Sequence, residues 1–248
     1  MQIKIGLCGA TGKTSQSIIE KARTLSEQFK ITAEFSSKNA IADLVSFCKE
    51  SEVIIDFSSV NILPELLKQC ALQKKSLIIG TTSFASEHFQ LISEYSRQIP
   101  IVYSANMSLG INLITSLITK CANALMDEHY DTEIIEYHHR YKKDAPSGTA
   151  ISLAREIAKA KNIDFENNVI LGRSSNNSRN PNEIGISSVR GGGIYGEHEV
   201  IFASDNEVIK LSHQVISRDA YADGALKAAA WIVGKKPGLY SMQNVIAI

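Results

Sequence analysis

The sequence predicts an α/β protein: a doubly wound parallel sheet carrying an inserted α+β domain built on an open mixed sheet. Three observations predict it. Residues 3–25 run from a short apolar strand through a glycine turn into an amphipathic helix. Apolar runs then alternate with helical stretches as far as residue 103, as consecutive β/α units do. Beyond a long apolar helix the pattern changes to short alternating strands separated by Gly- and Asn-rich turns, before one last helix returns.

The opening strand holds Ile3, Ile5 and Leu7, and the helix after it repeats Ile18, Ile19, Ala22 and Leu25. Between them lie Gly9, Ala10, Thr11, Gly12, Lys13 and Thr14, the candidate residues of a cofactor turn. Gly9 permits a tight turn, and Gly12 lets the backbone approach a pyrophosphate seated on the helix N-terminus. Ser15 stands where a third glycine or alanine is usual, and the turn alone serves equally as a plain strand-to-helix connection. It is not a nucleoside-triphosphate loop, because Gly12-Lys13-Thr14 lacks the earlier glycine at the required spacing.

A second strand over residues 31–35 ends at Ser36, Ser37 and Lys38. A site for NAD usually sets an acidic group here to hold the ribose hydroxyls, whereas two hydroxyls and a cation accept a 2′-phosphate. The composition favours NADPH, with NADH also allowed; a polar loop without a ligand accounts for the same residues. Val53-Ile54-Ile55-Asp56-Phe57 and Leu77-Ile78-Ile79 are nearly continuous apolar runs, as strands covered on both faces are. A fifth strand spans residues 101–103. Together these units make a Rossmann-type sheet, whose ligands bind beyond the carboxyl ends of its strands. That rule nominates Phe57-Ser58-Ser59, Gly80-Thr81-Thr82 and Ser104-Ala105-Asn106-Met107.

The long helix over about residues 109–126 leads to the stretch 133–150, the richest in site chemistry. Residues 132–138 alternate polar and apolar and read as a strand that delivers His138 and His139 to a rim. Adjacent strand residues face opposite ways, so the two imidazoles divide their duties. Lys142, Lys143 and Asp144 follow, then Pro146 and a Ser-Gly-Thr entry into a helix. That helix buries Ala150, Leu153, Ala154, Ile157 and Ala158 and has Ser147 as its N-cap. The N–H groups of Gly148 and Thr149, the Thr149 hydroxyl and the helix dipole, with Lys142 upstream, form a carboxylate or phosphate site. A metal is not expected, because the two His are adjacent and no Cys or third ligand accompanies them.

The unbroken string His138-His139-Arg140-Tyr141-Lys142-Lys143-Asp144-Ala145-Pro146-Ser147-Gly148-Thr149-Ala150 resembles the signature of the dihydrodipicolinate reductases, also called 4-hydroxy-tetrahydrodipicolinate reductases. The resemblance extends to Gly80-Thr81-Thr82 and to Ser104-Ala105-Asn106-Met107, where Met107 stands at a position often aromatic in the family. It implies reduction by NADPH or NADH of a cyclic unsaturated dicarboxylate in the diaminopimelate route to lysine. It further implies that His138 is the general acid/base and Lys142 a second proton donor. His139 would contact substrate, and Gly148 and Thr149 would hold a carboxylate. A homotetramer built through the inserted sheet is implied as well.

Downstream, residues 185–190, 199–203 and 208–213 read as strands of an open, mostly antiparallel sheet with hairpin connections, one face free for a partner subunit. Gly191, Gly192 and Gly193 fit a flexible hairpin loop better than a lid, and Arg190, Glu197, His198 and His213 read as sheet-surface or interface residues. A helix over residues 222–233 stops at Gly234 and Pro237-Gly238. The resemblance implies that this last helix packs back on the nucleotide domain, so that residues 1–107 with 218–248 form a dinucleotide-binding domain around residues 108–217 as a substrate-binding and tetramerisation domain.

Charges balance, 26 Lys and Arg against 26 Asp and Glu, which supplies no electrostatic basis for binding nucleic acid or an anionic membrane. Cys8, Cys48, Cys70 and Cys121 are far apart and lie in apolar stretches, as reduced thiols of a cytoplasmic protein do. Met1 runs straight into a strand without a leader pattern, and no apolar run approaches the ~20 residues of a membrane span.

Overall fold

The computed structural model describes residues 2–126, 129–174 and 178–247; residues 175–177 of the Ser/Asn-rich stretch 174–182 lie outside it. The chain divides into two units, Met1–Leu109 with Arg218–Ile248, and Gly110–Ser217.

The first unit is a six-stranded sheet of β1 (Ile3–Cys8), β2 (Phe29–Phe35), β3 (Val53–Asp56), β4 (Ser76–Ile79), β5 (Pro100–Tyr103) and β11 (Gly238–Tyr240). Their order is β11-β5-β4-β3-β1-β2 and every pairing is parallel. The direction of winding reverses at β1, with β2 on one side and β3 on the other, the crevice where such sheets bind ligands. Val53, Ile54 and Ile55 are at most 1% exposed, which is why β3 reads as an unbroken apolar run.

Helices α1 (Lys13–Thr24) and α8 (Asp219–Ile232) close one face of this sheet over Ile5, Leu7, Val53 and Ile55. On the other face α2 (Leu44–Lys49), α3 (Leu63–Leu72) and α4 (Ser86–Tyr95) pack on Cys8, Ile54, Leu77 and Ile79. Close packing of α8 depends on Gly224, where a Cβ would fall 1.7 Å from the Met107 carbonyl oxygen. The helix α9 (Met242–Ile246) adds Met242 and Val245 to the same core.

The second unit is a five-stranded mixed sheet in the order β10-β9-β6-β8-β7, formed by β6 (Asp131–His138), β7 (Val169–Leu171), β8 (Ile184–Arg190), β9 (Gly196–Ala203) and β10 (Val208–Val215). It is less antiparallel than its strand patterns suggest. β6 pairs with β8, and β7 with β8, in parallel; β6 with β9, and β9 with β10, run antiparallel. The short alternating strands carry no mark of their neighbours' direction, so the hairpin expectation held only for β9 and β10.

Helices α5 (Leu109–Ala124) and α6 (Gly148–Ala160) supply Ile111, Ile118, Ala150, Leu153 and Ile157 to a core shared with Ile134, Ile186, Val200 and Phe202; the short α7 (Phe165–Asn168) leads into β7. The four cysteines carry free thiols. Among the described residues no helix is long and apolar enough to cross a membrane.

Candidate active site

Strand register assembles the site in the second unit. On the face of the sheet that carries Ile134, one cross-strand row reads His213, His198, Glu136 and Ser188 on β10, β9, β6 and β8. Two residues along β6 the next row on this face contains His138, opposite Arg190. Alternation along each strand thus turns five His, Arg and Glu side chains to the same face of the sheet.

Glu136 is the hub of these contacts, with its side chain wholly buried. Arg190 grips it in a two-pronged contact, Nη1 donating to Oε2 at 2.8 Å and Nη2 to Oε1 at 2.7 Å. The Ser147 N–H donates to Oε1 at 3.0 Å, and His138 Nδ1 lies 2.5 Å from Oε2. Burial by itself pushes the Glu136 carboxyl up, but donors from Arg190, Ser188, His138 and Ser147 outweigh it and bring it down to about 2. For His138 the balance tips the other way. Burial lowers it from the usual histidine value, with Lys142 and Arg190 adding to the fall, against the upward pull of Glu136.

His198 is 5% exposed, and its Nε2 lies 2.9 Å from Ser147 Oγ. Its ring meets that of His138 edge to face at 5.2 Å. Burial, reinforced by the neighbouring His138, pushes it down to about 4, so it is neutral at physiological pH. The expectation that Arg190 and His198 are surface or interface residues is therefore corrected: both belong to the signature network. The usable signal was their in-register placement opposite His138 and Glu136, which depends on strand pairing and cannot be read from either strand alone.

The remaining signature residues cluster around this hub. The strand ends at His138, so His139 lies in the turn that follows, its Nδ1 buried and without a hydrogen-bond partner among the described residues. Lys142 pairs with Asp144 at 2.9 Å, while the Asp144 carbonyl accepts from Arg190 Nη2 at 2.7 Å. Beyond a cis Ala145–Pro146 bond, Ser147 caps α6 by accepting from the Ala150 N–H at 3.2 Å. A helix start directs its first N–H groups outward, here those of Gly148 and Thr149. Gly148 is exposed and faces open space.

Gly191, Gly192 and Gly193 do not close a hairpin, because β6 lies between β8 and β9. The loop instead crosses the end of β6. The Gly191 N–H donates to the His138 carbonyl and the Arg140 N–H to the Gly192 carbonyl. Gly196 then brings backbone so close that a Cβ there would sit 3.0 Å from His138 Nε2.

In the first unit, the four groups of candidate cofactor residues follow the carboxyl ends of β1, β2, β4 and β5. Gly9 has φ +82°, and a Cβ on it would fall 2.3 Å from the Phe57 carbonyl oxygen, so only glycine fits the turn. The Gly12 N–H closes the turn onto the Gly9 carbonyl at 2.9 Å. Gly12 caps α1 without a side chain to occupy the first helical N–H groups, which leaves them directed at an incoming anion. Thr11 and Lys13 are exposed beside it, Thr14 is half-buried and Ala10 is buried. Ser15 Oγ, fully buried in the first turn of α1, has no partner among the described residues. This cradle fits a dinucleotide pyrophosphate.

At the tip of β2, Ser36 is tied to Asn39 Oδ1 through its N–H at 2.9 Å, and the Lys38 N–H donates to Ser36 Oγ, leaving Ser37 and Lys38 exposed. The ends of β3 and β4 are joined by Asp56, fully buried. It accepts from Ser58 Oγ and from Thr81 Oγ1 at 2.7 Å, and Thr81 Oγ1 in turn accepts the Ser58 N–H at 3.0 Å. Burial raises the Asp56 carboxyl above the ordinary carboxylate range, against these hydrogen bonds.

Thr81 is thus a buried brace, and Gly80 and the exposed Thr82 flank it. After β5, Ser104 Oγ donates to the Asn106 carbonyl at 2.7 Å and the Ser108 N–H to Asn106 Oδ1 at 3.0 Å, shaping the loop around Ala105. The Met107 side chain is 1% exposed in the core, so only its backbone can face a ligand.

Comparison with known proteins accounts for both units. Residues 3–107 match the family described as dihydrodipicolinate reductase, N-terminus, and residues 110–246 match dihydrodipicolinate reductase, C-terminus. A 4-hydroxy-tetrahydrodipicolinate reductase of Rickettsia canadensis is 46% identical over 246 residues, covering 99% of each chain. One from Caldanaerobacter subterraneus subsp. tengcongensis is 41% identical over 253 residues, again with 99% of each covered. Among solved structures, the dipicolinate-bound dihydrodipicolinate reductase of Paenisporosarcina sp. TG-14 superposes with TM-score 0.79 over 98% of this chain and 99% of that one, at 20% identity, and so shares the fold. From its sequence over both units, the chain belongs to the dihydrodipicolinate reductase family.

Proposed function

We propose that this chain reduces 4-hydroxy-tetrahydrodipicolinate to tetrahydrodipicolinate, with loss of water, in the diaminopimelate route to lysine. Substrate, reduced nicotinamide cofactor and one proton give product, oxidised cofactor and water. The observation that carries the reading is an imidazole, His138, held by a buried carboxylate beside a helix start and a lysine. That is what a reaction needs when it must bind a dicarboxylate and protonate an anion formed from it.

A bound reduced nicotinamide supplies the hydride that adds to the conjugated ring. The residues of this chain do the rest. Gly148 and Thr149 bind a substrate carboxylate through their N–H groups and the dipole of α6. His139 contacts the substrate, and Lys142 neutralises charge and acts as a second proton donor. His138 protonates the anion that develops. Burial keeps it neutral before binding, and the negative charge of the arriving substrate raises its proton affinity where the proton is required.

Residues 1–107 with 218–248 bind the dinucleotide, and residues 108–217 bind substrate. The turn of Gly9 to Thr14 takes the pyrophosphate; Gly80, Thr81, Thr82, Ser104, Ala105, Asn106 and the Met107 backbone take the nicotinamide end. Ser36, Ser37 and Lys38 bring no carboxylate to the ribose, which favours NADPH. The outer face of the second sheet carries Ile135, Tyr137, Val189, Ile201 and Val208, with Val189 40% and Val208 56% exposed; it is the face through which a homotetramer assembles. Function in the cytoplasm agrees with the four free thiols.

The test is oxidation of NADPH and of NADH, followed by nicotinamide absorbance, with substrate generated in place by the preceding synthase from pyruvate and aspartate semialdehyde. Turnover with a higher kcat/KM for NADPH is expected. Cofactor binding without turnover overturns the proposed reaction, and a preference for NADH overturns the role given to Ser36, Ser37 and Lys38.

A further inference from the structure

We infer that Glu136, clamped by Arg190, is a positioning residue that fixes the tautomer of His138 and thereby selects Nε2 as the nitrogen that exchanges a proton with substrate. The inference rests on the role proposed for His138 and adds how that role is enforced.

The argument is one of donors and acceptors. Each oxygen of the buried Glu136 carboxylate accepts from Arg190, which has only donors to offer, and Oε1 accepts from the Ser147 N–H as well. With its charge held by Arg190, the carboxylate is an acceptor alone. His138 Nδ1, 2.5 Å from Oε2, must therefore carry a proton and donate it. In the neutral ring Nε2 is then the basic nitrogen, at the end of the ring against which Gly196 packs so closely that a Cβ there would lie 3.0 Å away.

Arg190 is itself anchored by donating to the Val189 and Asp144 carbonyls, both at 2.7 Å, so its grip does not depend on His138. The Ser147 contact gives Glu136 a second consequence. One carboxylate orients the imidazole through Oε2 and the N-cap residue of α6 through Oε1, so the proton-transfer group and the anion-binding helix start are set against the same rigid point.

Nitrogen NMR of the whole protein with labelled histidines tests this without turnover. In the wild type above the His138 titration, the His138 spectrum should be that of the Nδ1–H tautomer; a predominant Nε2–H tautomer would overturn the inference. In Glu136→Gln, an amide must direct either its NH2 or its oxygen at each old partner. An NH2 facing Nδ1 turns that nitrogen into an acceptor and drives the ring to the Nε2–H form. The expected result is a changed tautomer together with a kcat lower by about 10²-fold or more, KM moving far less, as loss of a general acid/base requires.

Full kcat in a folded Glu136→Gln protein sinks the idea, as does a lowered kcat with an unchanged tautomer. If that variant does not fold, the wild-type spectrum decides by itself. Failure of the proposed reaction is distinguishable, since it removes wild-type turnover while leaving the tautomer measurement intact.

Discussion

At the scale of single residues, the site balances burial against pairing, and pH tests that balance. Glu136 is held near 2 against an ordinary value of 4.5, and His198 near 4 against 6.5. Both depressions have the same sign: between the two values the unfolded chain binds more protons than the folded one. The stability from His198 is complete above about 6.5 and is lost as pH falls through about 4. That from Glu136 is complete above about 4.5 and is lost as pH falls through about 2. Denaturant midpoints of unfolding of the second unit should therefore begin to fall below neutrality and keep falling into strong acid. A midpoint that stays flat across this range would show that neither group is held as described.

Two substitutions probe the immediate surroundings of His138. Gly196→Ala places a Cβ 3.0 Å from His138 Nε2, so it should displace the imidazole and cost kcat about tenfold or more while the protein stays folded. Lys142→Ala should lower kcat more than it raises KM, by a factor on the order of 10²–10⁴ for a group that transfers a proton. Steady-state kinetics decides both. Unchanged kcat in Gly196→Ala would mean that the ring is not confined there.

At the scale of elements, the turn after β1 tolerates no side chain at Gly9. Gly9→Ala should cost about 1–3 kcal/mol from its left-handed backbone alone. The collision with Phe57 adds to that, and calorimetric titration should find nucleotide binding lost. Strong binding by a folded Gly9→Ala protein would contradict the cradle. This turn was legible in the sequence because glycine spacing, strand and helix follow one another locally.

Other elements were not legible, for physical reasons. β11 spans only Gly238–Tyr240 behind Pro237, too short to show a period, and is a strand because it adds to the β5 edge. Gly191, Gly192 and Gly193 read as a hairpin because nothing local announces that β6 inserts between β8 and β9. Glu136 passed as the polar half of an alternating strand, when its inward direction and its bonds to Arg190 are what give it meaning.

At the scale of the whole molecule, periodicity and motif order were sufficient to read the β/α units of the wound sheet, whose turns and helices are local, and the existence of the inserted strands and the last helix. Where that helix packs, over Ile5, Leu7, Val53 and Ile55, is a long-range contact that only the resemblance implied. The residues 133–150 carried His138, His139, Lys142, Gly148 and Thr149 as one string, which is why that part of the candidate site could be proposed from the sequence. What joins the string to Arg190 and His198 spans about fifty residues of chain and depends on register. Assembly is also a property of this scale. Val208→Asp, on the outer face of the second sheet and 56% exposed, should disperse a tetramer into smaller species by light scattering. A wild-type monomer would remove that face from the account.

Turnover of His138→Gln measured beside the wild type, in the coupled nicotinamide assay, tests the central claim most directly. The account predicts a fall in kcat of about 10²-fold or more with KM changing by only about threefold or less, because a glutamine keeps polar contacts but cannot transfer the proton. Retention of full kcat by His138→Gln would contradict it.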